Sequence, residues 1–193
     1  MPTVTAFTCG AQNGNCEIFV KEALMALEQM GIGTELIRLN ECGLHPCKGC
    51  PKGPCKAKGP AACIHDDDGG WLAEKFYKSD GYIMAAPVWS LSPPGIVSVF
   101  RDRIFGYKAD VAGWERRGVP EGARDYKQHR PGALISGGGA LSRHWTSLGL
   151  STLYTTTISA QTDVVDHMDV YGVSRHGDAM MKADYILRAK YLG

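Results

Sequence analysis

The sequence lacks an excess of charge of either sign, and it lacks long apolar runs. Its 193 residues carry 21 Lys and Arg against 20 Asp and Glu, a formal net charge of +1. A protein that binds duplex nucleic acid normally has a strong basic excess, so this balance argues against a nucleic-acid partner. The longest apolar candidate, residues 82–89, contains Pro87 and is far shorter than the ~18 residues of a membrane span. We therefore expect neither nucleic-acid binding nor a membrane partner.

Several functional patterns are also missing. Residues 1–5 lack the basic region and apolar stretch of a secretory signal, so we expect a cytoplasmic protein. No compact Ser/His/Asp or His-Glu-x-x-His arrangement occurs, which leaves hydrolytic catalysis without support. Neither a P-loop nor a Gly-x-Gly-x-x-Gly fingerprint is found. The composition, 44% hydrophobic and 21% charged, is ordinary for a globular protein, and the length suits a single domain over residues 1–193.

Cysteine, in contrast, is abundant and clustered. The chain has seven cysteines, and in a reducing compartment such residues are more often metal ligands or redox groups than structural disulfides. Four of them form a Cys-x2-Cys-x4-Cys-x7-Cys pattern in a cysteine-rich loop at 42–65: Cys47, Cys50, Cys55 and Cys63. Thiolates at this density suit a tetrahedral zinc site or an iron–sulfur cluster. A redox-active disulfide and a set of free thiols are the other interpretations, and Cys42 suits a small buried hydrophobe.

Hydrophobic periodicity predicts strands that alternate with helices. The predicted strands cover residues 4–8, 34–39, 80–86, 133–136 and 164–170. The predicted helices cover residues 15–30, 71–77, 94–105, 141–154 and 178–192. These βα units predict an α/β fold, an open parallel five-stranded sheet with helices on both faces. Residues 66–68, all Asp, suit a capped and solvated helix start, and the charged, irregular residues 106–130 suggest an arm.

Three loops of the predicted sheet are candidates for a cofactor site, because ligands bind outside the carboxyl ends of such strands, where the strand order reverses. The first loop is rich in small and amide residues, whose backbone N–H groups can converge on an anion beside a helix dipole. The third places a Trp as a wall for a planar ring, and the fourth has three glycines that allow close approach. The candidate cofactor-binding residues are Thr8, Gly10, Gln12, Asn13, Gly14, Asn15, Cys16, Pro87, Val88, Trp89, Ser90, Leu91, Gly137, Gly138 and Gly139.

These motifs resemble those of the flavodoxin-like flavin reductases, specifically the NADPH-dependent FMN reductase and iron–sulfur flavoprotein group. Members typically read Gly-Ser-Pro-Arg-x-x-Gly-Asn-Thr after strand one and Ser-Pro-Val-Tyr after strand three. They also have a cysteine-rich loop after strand two and a Phe-x-Asp-Arg ending to the helix after strand three. The matches here are Asn-Gly-Asn at 13–15, Pro-Val-Trp at 87–89 and Phe-Arg-Asp-Arg at 100–103. The resemblance runs from residue 4 to residue 105 and is looser beyond.

The resemblance implies a flavodoxin-like domain that binds FMN and acts as an oxidoreductase. The flavin would carry the chemistry, so no catalytic side chain is assigned. Where the group has Ser, Arg and Thr in and after the first loop, this chain has Cys9, Ala11 and Cys16, which implies weaker FMN binding. His144 and Trp145 are further residues that could approach the flavin.

The resemblance also implies a [4Fe–4S] cluster on the four clustered cysteines, with zinc as the alternative. The group usually begins this loop with Cys-x2-Cys-x2-Cys. Gly53 occupies the third ligand position here, so Cys55 would have to replace it.

Two electron routes follow from the resemblance. Electrons would enter from a ferredoxin-like donor through the cluster, or from NAD(P)H by hydride transfer, and pass through FMN to a small acceptor such as a quinone, peroxide or oxygen. Similar proteins form dimers or tetramers, and the arm at 106–130 would then cover a neighbouring subunit's flavin. The competing interpretation is a non-enzymatic electron carrier or redox-sensing module with a zinc- or disulfide-bearing loop.

Overall fold

Strands and helices alternate along the chain, as the hydrophobic pattern predicts. The structure, a computed structural model, describes residues 1–55, 62–105, 130–159 and 162–193. Its strands are β1 (Thr3–Thr8), β2 (Gly33–Arg38), β3 (Gly81–Pro87), β4 (Pro131–Gly137) and β5 (Asp163–Val170). Its α-helices are α1 (Asn15–Gln29), α2 (Gly69–Lys78), α3 (Gly95–Phe105), α4 (Ser147–Ser159) and α5 (Ala183–Leu192). Short 3-10 turns cover Leu39–Glu41, Arg143–Trp145 and Asp178–Met181.

The five strands form one parallel sheet in the order β2-β1-β3-β4-β5. The chain passes from β1 to β2 on one side and then returns to β3 on the other side of β1, so the strand order reverses between β1 and β3. Because the strands are parallel, all their carboxyl ends lie at one edge of the sheet. The predicted α/β class and flavodoxin-like topology are confirmed. The reversal point indicates a ligand crevice at the carboxyl ends of β1 and β3.

Helices cover both faces of this sheet. On one face, the Phe7 ring of β1 lies 5.8 Å from Phe76 of α2 and 5.2 Å from Phe100 of α3, measured between ring centroids. On the other face, Ile83 and Ile135 belong to the core that includes α1 and α5. The first six residues of β3 are buried, because a central parallel strand has no face toward solvent. This two-sided packing fixes the positions of the loops at the carboxyl edge.

The last two helices begin later than predicted. α4 begins at Ser147 rather than at 141, because the 3-10 turn Arg143–Trp145 precedes it, with the Ser142 hydroxyl accepting from the His144 N–H. The helix expected over 178–192 is divided into a 3-10 turn and α5. Lys182 separates the two parts, since its φ of −110° and ψ of 74° are not helical.

The arm expected at 106–130 lies outside the described residues except for its last residue, Arg130. Arg130 is buried, and its Nη1 donates to the carbonyls of Phe76 and Ser79. Its guanidinium carbon lies 5.1 Å from the Phe76 ring centre and 5.3 Å from that of Tyr77, so two aromatic faces stabilise its charge. Arg130 therefore packs against α2, and the arm over residues 106–130 stays a prediction.

No helix in the described ranges combines the length and the apolar character that crossing a membrane requires.

Candidate functional site

The loops after β1, β3, β4 and β5 surround one cavity of about 330 Å³ at the carboxyl edge of the sheet. Most of the predicted cofactor residues line it: Gly10, Gly14, Asn15, Cys16, Pro87, Val88, Trp89, Gly137, Gly138 and Gly139. The other predicted residues do not: Thr8, Gln12, Asn13, Ser90 and Leu91. The lining also includes residues outside the predicted set: Ala11, Val173, Ser174 and His176. The three predicted loops therefore converge, and a fourth loop joins them.

The start of α1 presents backbone donors to this cavity. α1 begins at Asn15, and its N-cap residue is Gly14, which has no side chain to cap the first N–H groups of the helix. The Gly14 N–H donates to the Ala11 carbonyl at 2.9 Å, and Asn13 has φ +55°, so the loop turns tightly before the helix. The first N–H groups of a helix have no intrahelical partner and carry partial positive charge. This geometry suits an anion such as a phosphate.

The buried carboxylate of Glu17 stabilises the loop after β1. Glu17, in the first turn of α1, is buried and accepts from Arg38 Nε at 2.7 Å and Nη2 at 2.9 Å. Lys21 Nζ lies 2.8 Å from Glu17 and 2.6 Å from the Asn13 side-chain oxygen. These bonds, the Arg38 pair above all, lower the pKa of Glu17 to about 2. Arg38 and Lys21 thus compensate a negative charge that would otherwise lie beneath an anion site.

Thr8, Cys9 and Cys16 lie in or beside the floor of the cavity with their side chains buried. The Thr8 side chain is completely buried at the end of β1, and Cys9 Sγ lies 3.7 Å from the Ala85 carbonyl. A Cβ on Gly137 would lie 3.1 Å from Cys16 Sγ, so the thiol packs directly against that backbone. Burial raises the pKa of Cys16 to about 12 and that of Cys9 further, so both remain neutral thiols. Neither is suited to nucleophilic or metal-binding chemistry at neutral pH.

Trp89 stands at the rim of the cavity on a two-residue turn. Its N–H donates to the Ser92 carbonyl at 2.8 Å, and the Ser92 N–H donates back at 3.1 Å. Ser90 and Leu91 have φ of +50° and +68°, a left-handed conformation that such residues seldom adopt. Trp89 is 56% exposed, so its ring is available as a wall. Ser90 and Leu91 shape the turn that presents Trp89, and they do not line the cavity.

The glycines after β4 form a backbone cradle. The Gly138 N–H donates to the Val170 carbonyl at 3.0 Å. A Cβ on Gly138 would lie 2.9 Å from Thr146 Cγ2, and a Cβ on Gly139 would lie 2.8 Å from Ser174 Cβ. Side chains therefore do not fit at these positions, because Thr146 and Ser174 pack against the loop, and its glycines line the cavity.

The two further candidates near this loop do not contribute to the cavity. His144 and Trp145 lie in the 3-10 turn that precedes α4, and neither lines the cavity. Trp145 is 57% exposed, so it belongs to the protein surface beside the site.

The segment after β5 is the part of the site that sequence reasoning missed. The Asn15 side chain holds it, because Nδ2 donates to the Val173 and Arg175 carbonyls at 3.2 and 2.9 Å. Asn15 thus offers its backbone to the cavity while its side chain fixes a neighbouring loop. His176 Nε2 lies 3.2 Å from the Gln12 carbonyl oxygen. The available signal was topological, since the loops that follow parallel strands all reach the same edge of the sheet.

A larger cavity of about 500 Å³ lies at the amino edge, between β1, β2 and α2. Lys75 Nζ contacts both Glu35 oxygens there, at 2.7 and 2.9 Å, and lies 5.8 Å from the Trp71 ring centre. These charged groups are paired with one another, and none of the predicted site residues lines this cavity. Although this cavity is larger, the predicted site residues line the cavity at the carboxyl edge, and that cavity is therefore the candidate site.

The cysteine-rich loop brings its four predicted ligands near one another. Cys47 is exposed, and Cys50, Cys55 and Cys63 are half-buried. Burial raises the pKa of Cys55, and the nearby thiols of Cys63, Cys47 and Cys50 raise it further. The Gly53 N–H donates to the Cys50 carbonyl at 3.3 Å, and a Cβ on Gly53 would lie 3.5 Å from Cys55 Sγ. Gly53 thus makes a turn that carries Cys55 to the position beside Cys50.

A second group of possible ligand atoms lies beside this loop. In the described ranges, one set of three or more His, Cys, Asp or Glu has ligand atoms within 4.8 Å of one another, namely His45, His65 and Asp67.

Arg103 braces this loop against α3. Its guanidinium donates to the two Asp67 oxygens at 2.6 and 2.7 Å and to the His45 carbonyl at 2.8 Å. Both side chains of the pair are buried, and the Arg103 bonds hold the pKa of Asp67 well below its usual range. Arg103 also interacts with Cys63. Because a cation already occupies both Asp67 oxygens, the group with His45 and His65 is an ion-pair brace rather than a metal site.

The acidic run before α2 therefore differs from the expected solvated helix start. Asp67 does accept from the Gly69 N–H at 2.9 Å, as a helix cap does, but its side chain is buried. Asp68 accepts from the Gly43 N–H at 2.6 Å and so ties down the beginning of the cysteine-rich loop. The expectation was wrong for Asp67 because its partner Arg103 lies 36 residues later, beyond the reach of a local pattern.

The sequence is similar to that of known proteins over part of its length. The sequence matches the NADPH-dependent FMN reductase family over residues 2–164. An iron–sulfur flavoprotein of Methanocaldococcus jannaschii is 40% identical over 76 residues, which are 39% of this chain and 37% of that protein. An iron–sulfur flavoprotein of Archaeoglobus fulgidus is 33% identical over 94 residues, 49% of this chain and 41% of that protein. The match thus spans less than half the length of these relatives.

A solved structure shares the fold over almost the whole chain. A flavone reductase superposes with a TM-score of 0.74 and 18% sequence identity, over 98% of this chain and 60% of that one. At this level of identity, the likeness demonstrates the fold alone.

Proposed function

The chain belongs to the NADPH-dependent FMN reductase family, and from that premise we propose that it is an FMN-dependent oxidoreductase. The observation that carries the proposal is the cavity at the carboxyl edge, where the start of α1, Trp89 and the glycines 137–139 meet. An uncapped helix start suits a phosphate, and an exposed aromatic ring near a glycine cradle suits a flat ring system. FMN needs both features in one cavity.

Each part of the cavity has a role in this proposal. The backbone N–H groups of residues 10–16 would hold the phosphate, while Trp89 and the glycine cradle would hold the ring. Glu17 and Asn40 keep the loop in place, since Asn40 Nδ2 donates to the Cys9 carbonyl at 2.5 Å. The bound flavin supplies the hydride and electron transfer. The residues of the cavity would bind and orient it, and we assign no side chain a catalytic role.

The finer part of the proposal is a [4Fe–4S] cluster on Cys47, Cys50, Cys55 and Cys63. Its support is the proximity of the four thiols and the description of two relatives as iron–sulfur flavoproteins. The loop follows β2, which neighbours β1 in the sheet, so it leaves from the same edge as the FMN cavity. Electrons from a ferredoxin-like donor would enter at the cluster and leave through FMN.

NAD(P)H is the alternative donor, and the cysteine-rich loop would then be structural. In either route the acceptor would be a small molecule such as a quinone, peroxide or oxygen. A loop that binds zinc or forms a disulfide would instead suit a non-enzymatic electron carrier or redox sensor.

We also propose a cytoplasmic homodimer or homotetramer in which the segment 106–129 covers the neighbouring subunit's flavin. Deletion of that segment should then give a monomer by light scattering. An unchanged oligomer would contradict this arrangement.

The test of the proposed function is chemical analysis of anaerobically purified protein. We expect stoichiometric FMN together with equal amounts of iron and sulfide. Zinc without iron would overturn the cluster, whereas failure to bind added FMN would overturn the oxidoreductase assignment. Rapid mixing with NADPH and, separately, with a reduced ferredoxin would identify the donor as the one that bleaches the flavin.

A further inference from the structure

The cavity offers little positive charge to a phosphate. Among the described residues that line it, His176 is the only one that can become cationic. Two cations close to the loop after β1 are already engaged, since Arg38 and Lys21 both pair with Glu17. A phosphate monoester carries nearly two negative charges at neutral pH. A side-chain ligand such as His176 would therefore add to what the backbone N–H groups offer the phosphate.

The loop that carries His176 is held firmly against the start of α1. The Asn15 side chain bonds it on two sides, because Nδ2 donates to the Arg175 carbonyl at 2.9 Å and Oδ1 accepts from the Ala179 N–H at 3.0 Å. Asp178 Oδ2 accepts from the N–H groups of Ser174 and Arg175 at 3.0 and 2.8 Å. The histidine is therefore placed by hydrogen bonds on both sides of it rather than left on an unconstrained loop.

The ring of His176 contacts the loop after β1 directly. Its Nε2 lies 3.2 Å from the Gln12 carbonyl oxygen, and a carbonyl oxygen can only accept, so Nε2 carries a hydrogen. The ring also lines the cavity together with Gly14 and Asn15 at the start of α1, so it is placed beside an anion bound there.

We propose that His176 is a ligand of the FMN phosphate. This inference deepens the proposed function and rests on it. It assigns to the loop after β5 a binding role that depends on the phosphate and not on the flavin ring.

The experiment compares FMN with riboflavin, which has the same ring system and no phosphate. Flavin fluorescence quenching would give the Kd of both ligands for the full chain freed of flavin, for His176→Ala and for His176→Lys. We expect His176→Ala to weaken FMN binding about tenfold while riboflavin binding is unchanged, as the loss of one charged hydrogen bond predicts. The lysine variant should retain the preference for FMN. His167→Ala, which removes an exposed histidine of β5 that does not line the cavity, is the matched control.

Two results would overturn the inference. Equal weakening of FMN and riboflavin in His176→Ala would mean that the histidine only supports the shape of the cavity. An unchanged Kd for FMN would mean that it does not contact the phosphate. If the wild-type chain binds neither flavin, the proposed function itself fails, and that outcome is distinct from both.

Discussion

At the scale of single residues, the loop after β1 depends on Glu17, a side chain that does not line the cavity. The buried carboxylate of Glu17 joins the first turn of α1 to Arg38 at the end of β2. It also accepts the N–H of Asn13 from the loop itself. Without this charge, Arg38 would stay partly buried with its main partner removed, and an uncompensated charge in such a place is costly.

Replacing Glu17 therefore tests the ion pair by its pH dependence. Glu17→Gln should lower the free energy of unfolding by roughly 2 to 3 kcal/mol at neutral pH. The folded-state pKa of Glu17 is lowered from 4.5 to about 2, so the stabilisation is present above pH 4.5 and is lost as the pH falls toward 2. Urea unfolding at several pH values should show the difference between wild type and variant shrinking over that range.

The control for this prediction is Glu35→Gln. Glu35 pairs with Lys75 at 2.7 Å, but its side chain is 39% exposed, so the expected loss is below about 1 kcal/mol. A Glu17→Gln deficit that stays constant from pH 7 to pH 3 would contradict the ion-pair account.

Gly138→Ala tests the backbone cradle. The added Cβ would lie 2.9 Å from Thr146 Cγ2 and 3.4 Å from Val88 Cβ, in a loop that lines the cavity. Because the neighbours must move, we expect the Kd for FMN to rise by about tenfold or more and stability to fall by about 1 to 3 kcal/mol. Fluorescence titration and thermal unfolding would measure the two effects. Gly95→Ala, whose Cβ meets nothing within 4 Å, should leave FMN binding unchanged, and equal losses in both variants would contradict a local cradle.

The sequence predicted the glycines of the site but neither Glu17 nor His176. Gly10 and Gly137 to Gly139 are recognisable because only glycine leaves the backbone uncovered where a ligand would approach. Glu17 and His176 gain their roles from partners that lie 21 and 164 residues away in the chain, so no local pattern identifies them.

At the scale of elements, the turn after β3 is strained in a way that serves its position. Ser90 and Leu91 both adopt positive φ, which costs roughly 1 to 2 kcal/mol for a residue with a side chain. The turn projects from the end of the central strand and carries Trp89 at the rim of the cavity. Strain held by surrounding structure is found at functional sites more often than elsewhere.

Leu91→Gly should relieve part of this strain. We expect the free energy of unfolding to rise by about 0.5 kcal/mol, because the relief of strain exceeds the greater freedom of glycine in the unfolded chain. Leu141→Gly removes a leucine that is more exposed, 90% against 43% for Leu91, and should cost about 0.5 to 1 kcal/mol. Urea denaturation of the two variants would settle the comparison, and a Leu91→Gly variant no more stable than Leu141→Gly would refute the strain.

The positions of helices and strands were predicted correctly where the hydrophobic periodicity is strong. They were missed where a short turn determines the residue at which a helix begins. The buried run of β3 and the amphipathic pattern of α1 follow from burial, which a single sequence displays. The start of α4 and the break at Lys182 depend on backbone conformation in short turns, which periodicity does not display. The brace between Asp67 and Arg103 joins two elements, so neither element alone predicts it.

At the scale of the whole molecule, the parallel sheet places both candidate sites at one edge. The cysteine-rich loop leaves from β2, and the FMN cavity extends over β1, β3 and β4. No residue of 42–55 or 62–65 lines the FMN cavity in the described ranges. The topology therefore predicts neighbouring sites that bind their cofactors independently.

Cys55→Ser tests this independence. We expect the anaerobically purified variant to lose most of its iron and sulfide while its FMN content stays that of the wild type, because Cys55 lies among the other three thiols and away from the cavity. Cys42→Ser, a change at a cysteine outside the predicted ligand set, should retain both cofactors. Loss of FMN in Cys55→Ser, or of iron in Cys42→Ser, would contradict separate sites with this ligand set.

The most direct test of the account is a crystal structure of the chain with FMN. The account predicts the phosphate within hydrogen-bond distance of backbone N–H groups in residues 10–16 and the flavin ring between Trp89 and the glycines 137–139. Density for FMN elsewhere, or a phosphate directed away from the start of α1, would contradict it.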